Sequence, residues 1–204
     1  MVDNLNNIEE QVKKDEKLID IWGRRNPRFE KKYEKSVIRI IADYGIGASE
    51  NTETKGKALG AAYEAYIMAF FIGLYSNKRL PISEDSDELK VLGQPIQFWG
   101  NLDSKKFRKA YSGLRSYIFI ALVAKTDIDW IALDKGDIKV NTVISNLIET
   151  MEEYANYGFS LMEEKLNEDS SYFFSHRSFL DIFLQLTDKH VSNGNDEEEI
   201  ESLD

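Results

Sequence analysis

Chemistry in this chain could be built from one carboxylate in an apolar helix, two histidines, one close glycine pair and one aspartate cluster. Glu64 is the only charge between Lys57 and Lys78. A carboxylate in such apolar surroundings needs a partner or takes up a proton. With Tyr63 and Tyr66 beside it, Glu64 marks a candidate pocket holding a perturbed acid, the residue type that acid–base catalysis uses. His176 lies among aromatic residues and His190 borders an acidic tail. Neither has a Glu three residues upstream, so the Glu-x-x-His half-site of di-iron bundles is missing, and no His-Glu-x-x-His occurs.

Gly45-Ile-Gly47 follows the apolar run Val37–Ala42, as in a nucleotide-binding turn, but the third glycine of that fingerprint would fall at Glu50. Gly56-Lys57 runs into Ala58, so there is no phosphate-binding loop of the Gly-Lys-Ser/Thr type. Asp127, Asp129, Asp134 and Asp137 resemble a calcium loop only superficially, because Ile131 and Ala132 stand where an oxygen ligand and a glycine are required. Zero cysteines exclude thiol catalysis, cysteine-ligated zinc, iron–sulfur clusters and disulfide scaffolds. No catalytic residue, metal ligand or cofactor site is assigned from sequence.

Binding signals are clearer than catalytic ones. Trp22, Arg24, Arg25, Arg28 and Phe29 gather at one interhelical turn, and Lys105, Lys106, Phe107, Arg108, Lys109 and Tyr111 open a later helix. Arginine and lysine interleaved with aromatics serve phosphates and stacked bases, and they serve acidic protein surfaces equally well. The segment Gln94-Pro-Ile-Gln-Phe-Trp-Gly100 places Ile96, Phe98 and Trp99 in irregular chain. Such side chains either plug a bundle end or anchor a partner. They are the partner-binding candidates.

The elements that must position these residues are helical. Leu5, Ile8, Val12, Ile19 and Trp22 mark a first helix ending near Gly23, and Pro27 suits the first position of a second. Tyr33, Val37, Ile40, Ile41 and Tyr44 form that second helix's stripe, stopped by Gly45 and Gly47. Thr52 or Thr54 can cap an apolar third helix running to about Tyr75. On it Gly56, Gly60 and Glu64 share a face that would admit a neighbouring helix. Residues 76–103 form a long irregular loop, with a short helix near Asp87–Leu92. Ser104 caps a fourth helix carrying Phe107, Tyr111, Leu114, Ile118 and Leu122 on one side, and residues 126–138 form a short acidic connection with one turn of helix.

Val140, Ile144, Leu147, Met151, Tyr154, Gly158 and Leu161 then recur at helical spacing, predicting a helix from Val140 to Asn167. Its seam suits bundle packing or pairing with a second copy. An aromatic-rich helix over Ser171–Asp188 follows. The expectation is an all-α, single-domain bundle of about six helices over residues 1–190, with residues 191–204 a disordered acidic tail. No convincing alternating strand is visible.

Composition fits that expectation. The chain has 204 residues, 42% hydrophobic and 12% aromatic, enough for a sizeable core. Its formal net charge of -10 disfavours nonspecific binding to nucleic-acid backbones over the whole surface. The charge is uneven: residues 20–45 carry seven basic against four acidic side chains, and residues 149–169 seven acidic against one basic. The segment from Ala58 to Asn77 has the length of a membrane span, but Glu64 and scattered tyrosines argue for a buried helix. No export signal is visible, and a cysteine-free chain points to the cytoplasm.

The reading that follows is a non-enzymatic helical subunit or adaptor, acting by protein–protein interaction in a cytoplasmic assembly. The first alternative is a nucleic-acid-associated protein using basic segments 24–39 and 105–115. The second is an enzyme with a buried carboxylate near Glu64.

Overall fold

The computed structural model describes residues 16–42, 58–100, 111, 113–175 and 177–194. The fold is all-α, with seven helices among the described residues: α1 (Leu18–Gly23), α2 (Arg39–Ile41), α3 (Ala62–Tyr75), α4 (Leu114–Lys125), α5 (Trp130–Lys135), α6 (Val140–Glu168) and α7 (Ser178–Gly194). Two three-residue strands, β1 (Arg28–Glu30) and β2 (Leu89–Val91), form its one small sheet among the described residues. The chain divides into two compact units. The first takes Met1–Arg28 and Val91–Met151, the second Phe29–Lys90 and Glu152–Asp204. The continuous helix α6 contributes to both.

In the first unit, α1 lies against α4. Trp22 is fully buried and meets Phe119 at 5.5 Å between ring centroids, and Arg115 reaches Asp20 at 3.4 Å. The chain after α1 is tied to the segment after β2, Ile96 N donating to the Arg25 carbonyl at 3.1 Å and Leu92 N to that of Pro27 at 2.9 Å. The hydrophobic core of this unit, among the described residues, is Trp22, Leu92, Ile96, Trp99, Ile118, Leu122, Val143, Ile144, Leu147 and Met151. The hydroxyls of Thr126 and Thr150 bond at 3.0 Å, linking the end of α4 to α6.

In the second unit the apolar helix α3 is central. Tyr63, Ala65, Tyr66, Ile67, Ala69, Phe70, Ile72 and Gly73 are all buried, which leaves it little solvent-facing side. At 14 residues it spans about 21 Å, short of the hydrocarbon thickness of a bilayer. Among the described residues no helix is long and apolar enough to cross a membrane. Helix α3 runs antiparallel to α6, with Ala69 beside Gly158 and Gly73 beside Tyr154. Phe159 of α6 gathers the aromatics Phe29, Tyr33 and Tyr66 around it at 5.3–6.3 Å.

Asn156, almost fully buried, donates to Glu30 Oε1 (3.1 Å) and to the carbonyls of Leu80 (3.3 Å) and Pro81 (2.9 Å), fixing β1 and the chain after α3 onto α6. A π-helical turn, Glu34–Ile38, leads into α2. Its wider repeat brings residues five apart onto one side, so Glu34 holds Arg39 at 2.5 Å and, from β2, Lys90 at 2.6 Å.

Several expectations are corrected. Pro27 precedes a strand, not a helix, because its carbonyl and the residues after it pair with residues 88–92, far away in sequence. The close helix approach falls at Ala69 and Gly73; Gly60 precedes α3, which begins at Ala62, and Gly56 lies outside the described residues. The loop after α3 contains a 3-10 turn at Ser86–Glu88 and the strand β2 in place of a helix over 87–92. The last helix is split: Tyr172–Phe174 is a 3-10 turn, and α7 starts at Ser178 and continues to Gly194, past the expected boundary at 190. The seam expected on α6 is buried within the chain at Ile144, Leu147, Met151, Tyr154 and Gly158, with Val140 exposed and Leu161 half buried, so most of it is not offered to a second copy. Leu5, Ile8 and Val12, the stop at Tyr44 to Gly47, the caps Thr52, Thr54 and Ser104, and the tail from 195 onward lie outside the described residues.

Candidate interaction surface

Among the described residues, eight large apolar side chains of the first unit stand exposed, against five of the second. Helix α4 shows why. Nine of its 12 residues are apolar, LRSYIFIALVAK, so no single buried face can hold them all. Ile118 and Leu122 are fully buried, and Phe119 turns to Trp22. Tyr117, Ile120 and Ala124 recur at the i, i+3, i+7 spacing on another side and are exposed, Tyr117 at 73% and Ile120 at 64%.

Both ends of α4 are fixed. At its start Tyr111 N donates to the Gly100 carbonyl at 2.9 Å, and Gly100 and Gly113 take positive φ values (70° and 138°) that glycine adopts without strain. At its end stands the Thr126–Thr150 bond. Exposed apolar side chains on a helix so anchored are presented, not frayed.

Helix α5 continues the pattern. Asp129 caps it by accepting from Ala132 N at 2.9 Å, and Gly136, at φ 81°, closes it with hydrogen bonds back to Ala132 and Leu133. Trp130 (43%) and Ile131 (68%) nevertheless face solvent. Val91, Phe98, Tyr111 and Val140 are the other exposed apolar side chains of this unit.

The loop candidates separate. Phe98 is half exposed, but Ile96 is fully buried and Trp99 nearly so, its indole donating to the Gln94 carbonyl at 3.0 Å. Ile96 and Trp99 are therefore core plugs of the first unit, and the anchor reading is corrected for both. A short 3-10 turn, Ile96–Phe98, rotates Phe98 away from the side that Ile96 occupies.

Of the described basic candidates, Arg24 is ion-paired. Arg24 bonds Glu16, which raises the guanidinium pKa and lowers that of the carboxyl. Downstream, Lys32 pairs with Glu30 at 2.6 Å, and Arg39 and Lys90 share Glu34. Arg25 contributes backbone bonds on both its N–H and carbonyl, and Arg28 opens β1. Lys105, Lys106, Arg108 and Lys109 lie outside the described residues.

Glu64 is half buried, and its Oε2 accepts from Gly60 N at 2.7 Å, reaching back over the first turn of α3 to the residue before its N-cap, Ala61. Tyr63 and Tyr66 are buried, Tyr66 edge-on to Phe159. The arrangement gives Glu64 a structural task at the helix start. Burial pushes the phenols of Tyr33 and Tyr154 above their usual range. His176 and the side chain of His190 lie outside the described residues, and no group of histidine, aspartate or glutamate that could hold a metal ion occurs among the described ones.

Sequence reasoning missed Tyr117, Ile120, Trp130 and Ile131. The signal was available: α4 is apolar at more positions than one buried stripe can use. Comparison of the chain with protein-family models, with curated proteins and with solved structures gives no match.

Proposed function

We propose that this protein is a helical interaction subunit that binds another protein through the exposed apolar side of α4, with α5 and Phe98 of the same unit adding contacts. The observation that carries the reading is Tyr117, Ile120 and Ala124 standing in solvent on a helix whose two ends are fixed. Contiguous exposed apolar residues on an ordered element mark interaction sites, and aromatic side chains are favoured anchors there. The absence of cysteine suits a reducing compartment such as the cytoplasm. Acidic partners engage Arg24, Lys32 and Arg39 within residues 24–39, which weighs against a nucleic-acid backbone as the principal ligand.

The test is affinity capture from the source cells with the wild type and Ile120→Asp, each with and without nuclease. A stoichiometric protein retained by the wild type after nuclease, and lost with Ile120→Asp at unchanged helix content, supports the reading. Partners lost only on nuclease treatment would transfer it to nucleic acid.

A further inference from the structure

We infer that α5 and its two flanking turns form a docking surface for a basic amphipathic segment of a partner protein, apolar along one side and carrying Lys or Arg beside it. The inference rests on the interaction reading above and names the class of partner. Its apolar part is the pair Trp130 and Ile131, both exposed on a helix capped at each end by Asp129 and Gly136. Six residues do not hold a helix by propensity alone. The caps fix it, so the pair is held ready without an ordering cost at binding.

The charge around that pair selects the occupant. Asp127, Asp129, Asp134 and Asp137 are all exposed, against Lys135 within the same eleven positions. Asp134 stands four residues after Trp130 and three after Ile131, so it shares their helix side. An acidic rim beside apolar anchors complements lysine or arginine flanking an apolar stripe, and repels an acidic segment of the same shape.

The three tryptophans supply the readout. Trp22 and Trp99 are buried and Trp130 is exposed, so a change at the docking surface appears in the red-shifted, quencher-accessible part of the emission. The full chain is titrated with a tryptophan-free amphipathic Leu/Lys peptide and with its Leu/Glu counterpart. The expected result is a blue shift and protection from acrylamide with Leu/Lys alone, absent in Trp130→Phe. Asp134→Lys/Asp137→Lys should weaken binding by about tenfold or more. Glu163→Lys/Glu164→Lys on α6, with the same change in net charge, should leave it unaltered.

No change at Trp130, equal responses to both peptides, or equal loss in the two charge-reversed variants overturns the inference. If the peptide fails while capture still depends on Ile120, the docking surface on α5 is wrong and the interaction reading stands. If both fail, the interaction reading falls with it.

Discussion

Gly158 of α6 lies against Ala69 of α3 backbone to backbone: a Cβ on Gly158 would stand 1.8 Å from the Ala69 carbonyl oxygen. One turn away the relationship is reversed, with a Cβ on Gly73 falling 2.0 Å from the Tyr154 carbonyl. Each helix thus offers a glycine where the other's backbone comes closest, and the approach is too tight for any other residue.

Gly158→Ala and Gly73→Ala should each cost about 3 kcal/mol, because backbone would have to move to admit one methyl group. Gly93→Ala, with nothing within 4 Å of the added Cβ, should be neutral to within about 0.5 kcal/mol. Urea midpoints of the three variants against wild type check the contrast.

Trp99→Ala should destabilise the first unit by about 3 kcal/mol, since the buried ring fills space and its indole satisfies the Gln94 carbonyl. Phe98→Ala, one position earlier and half exposed, should change stability by less than about 0.5 kcal/mol. Thermal unfolding of both separates plug from surface residue.

Asn156→Leu removes a donor shared by Glu30 and two carbonyls and should cost about 2–3 kcal/mol, the penalty of leaving buried acceptors unmet. Glu30→Gln keeps the shape and should cost less. A double-mutant cycle in urea measures the coupling between the two.

The hydrogen bond from Lys90, and then that from Arg39, hold the Glu34 carboxyl below its usual range. The unfolded chain therefore binds more protons near pH 4, and this contribution to stability is present above about pH 4.5 and lost as pH falls through the lowered value. Both cations are more than a third exposed, which limits the effect to under about 1 kcal/mol. Wild type should exceed Glu34→Gln in urea midpoint at about pH 7, and the gap should close at about pH 3.

What could be read from sequence follows the range of the forces involved. Helix α6 was legible almost to the residue, Val140–Asn167 against Val140–Glu168, because its buried seam repeats over many turns. The strands β1 and β2 were not, because three residues carry no periodicity and their pairing joins positions about sixty apart. Trp99 and Phe98 are adjacent aromatics in one loop; only the three-dimensional packing sends one inward and the other outward. The glycine contacts were half legible. Ala65, Ala69 and Gly73 have the small-residue spacing of a close helix crossing, but their partner Gly158 lies across the chain. The exposed side of α4 is visible in the sequence as apolar residues in excess of the one side that Leu114, Ile118 and Leu122 occupy.

The most direct test of the interaction claim is site-specific photo-crosslinking in the source cells, with the photoreactive residue placed at position 120 on α4 and, as control, at position 164 on the polar side of α6. A single nuclease-insensitive protein adduct at 120, absent at 164, is the result this reading requires. No adduct at 120, or the same set of adducts at both positions, would contradict it.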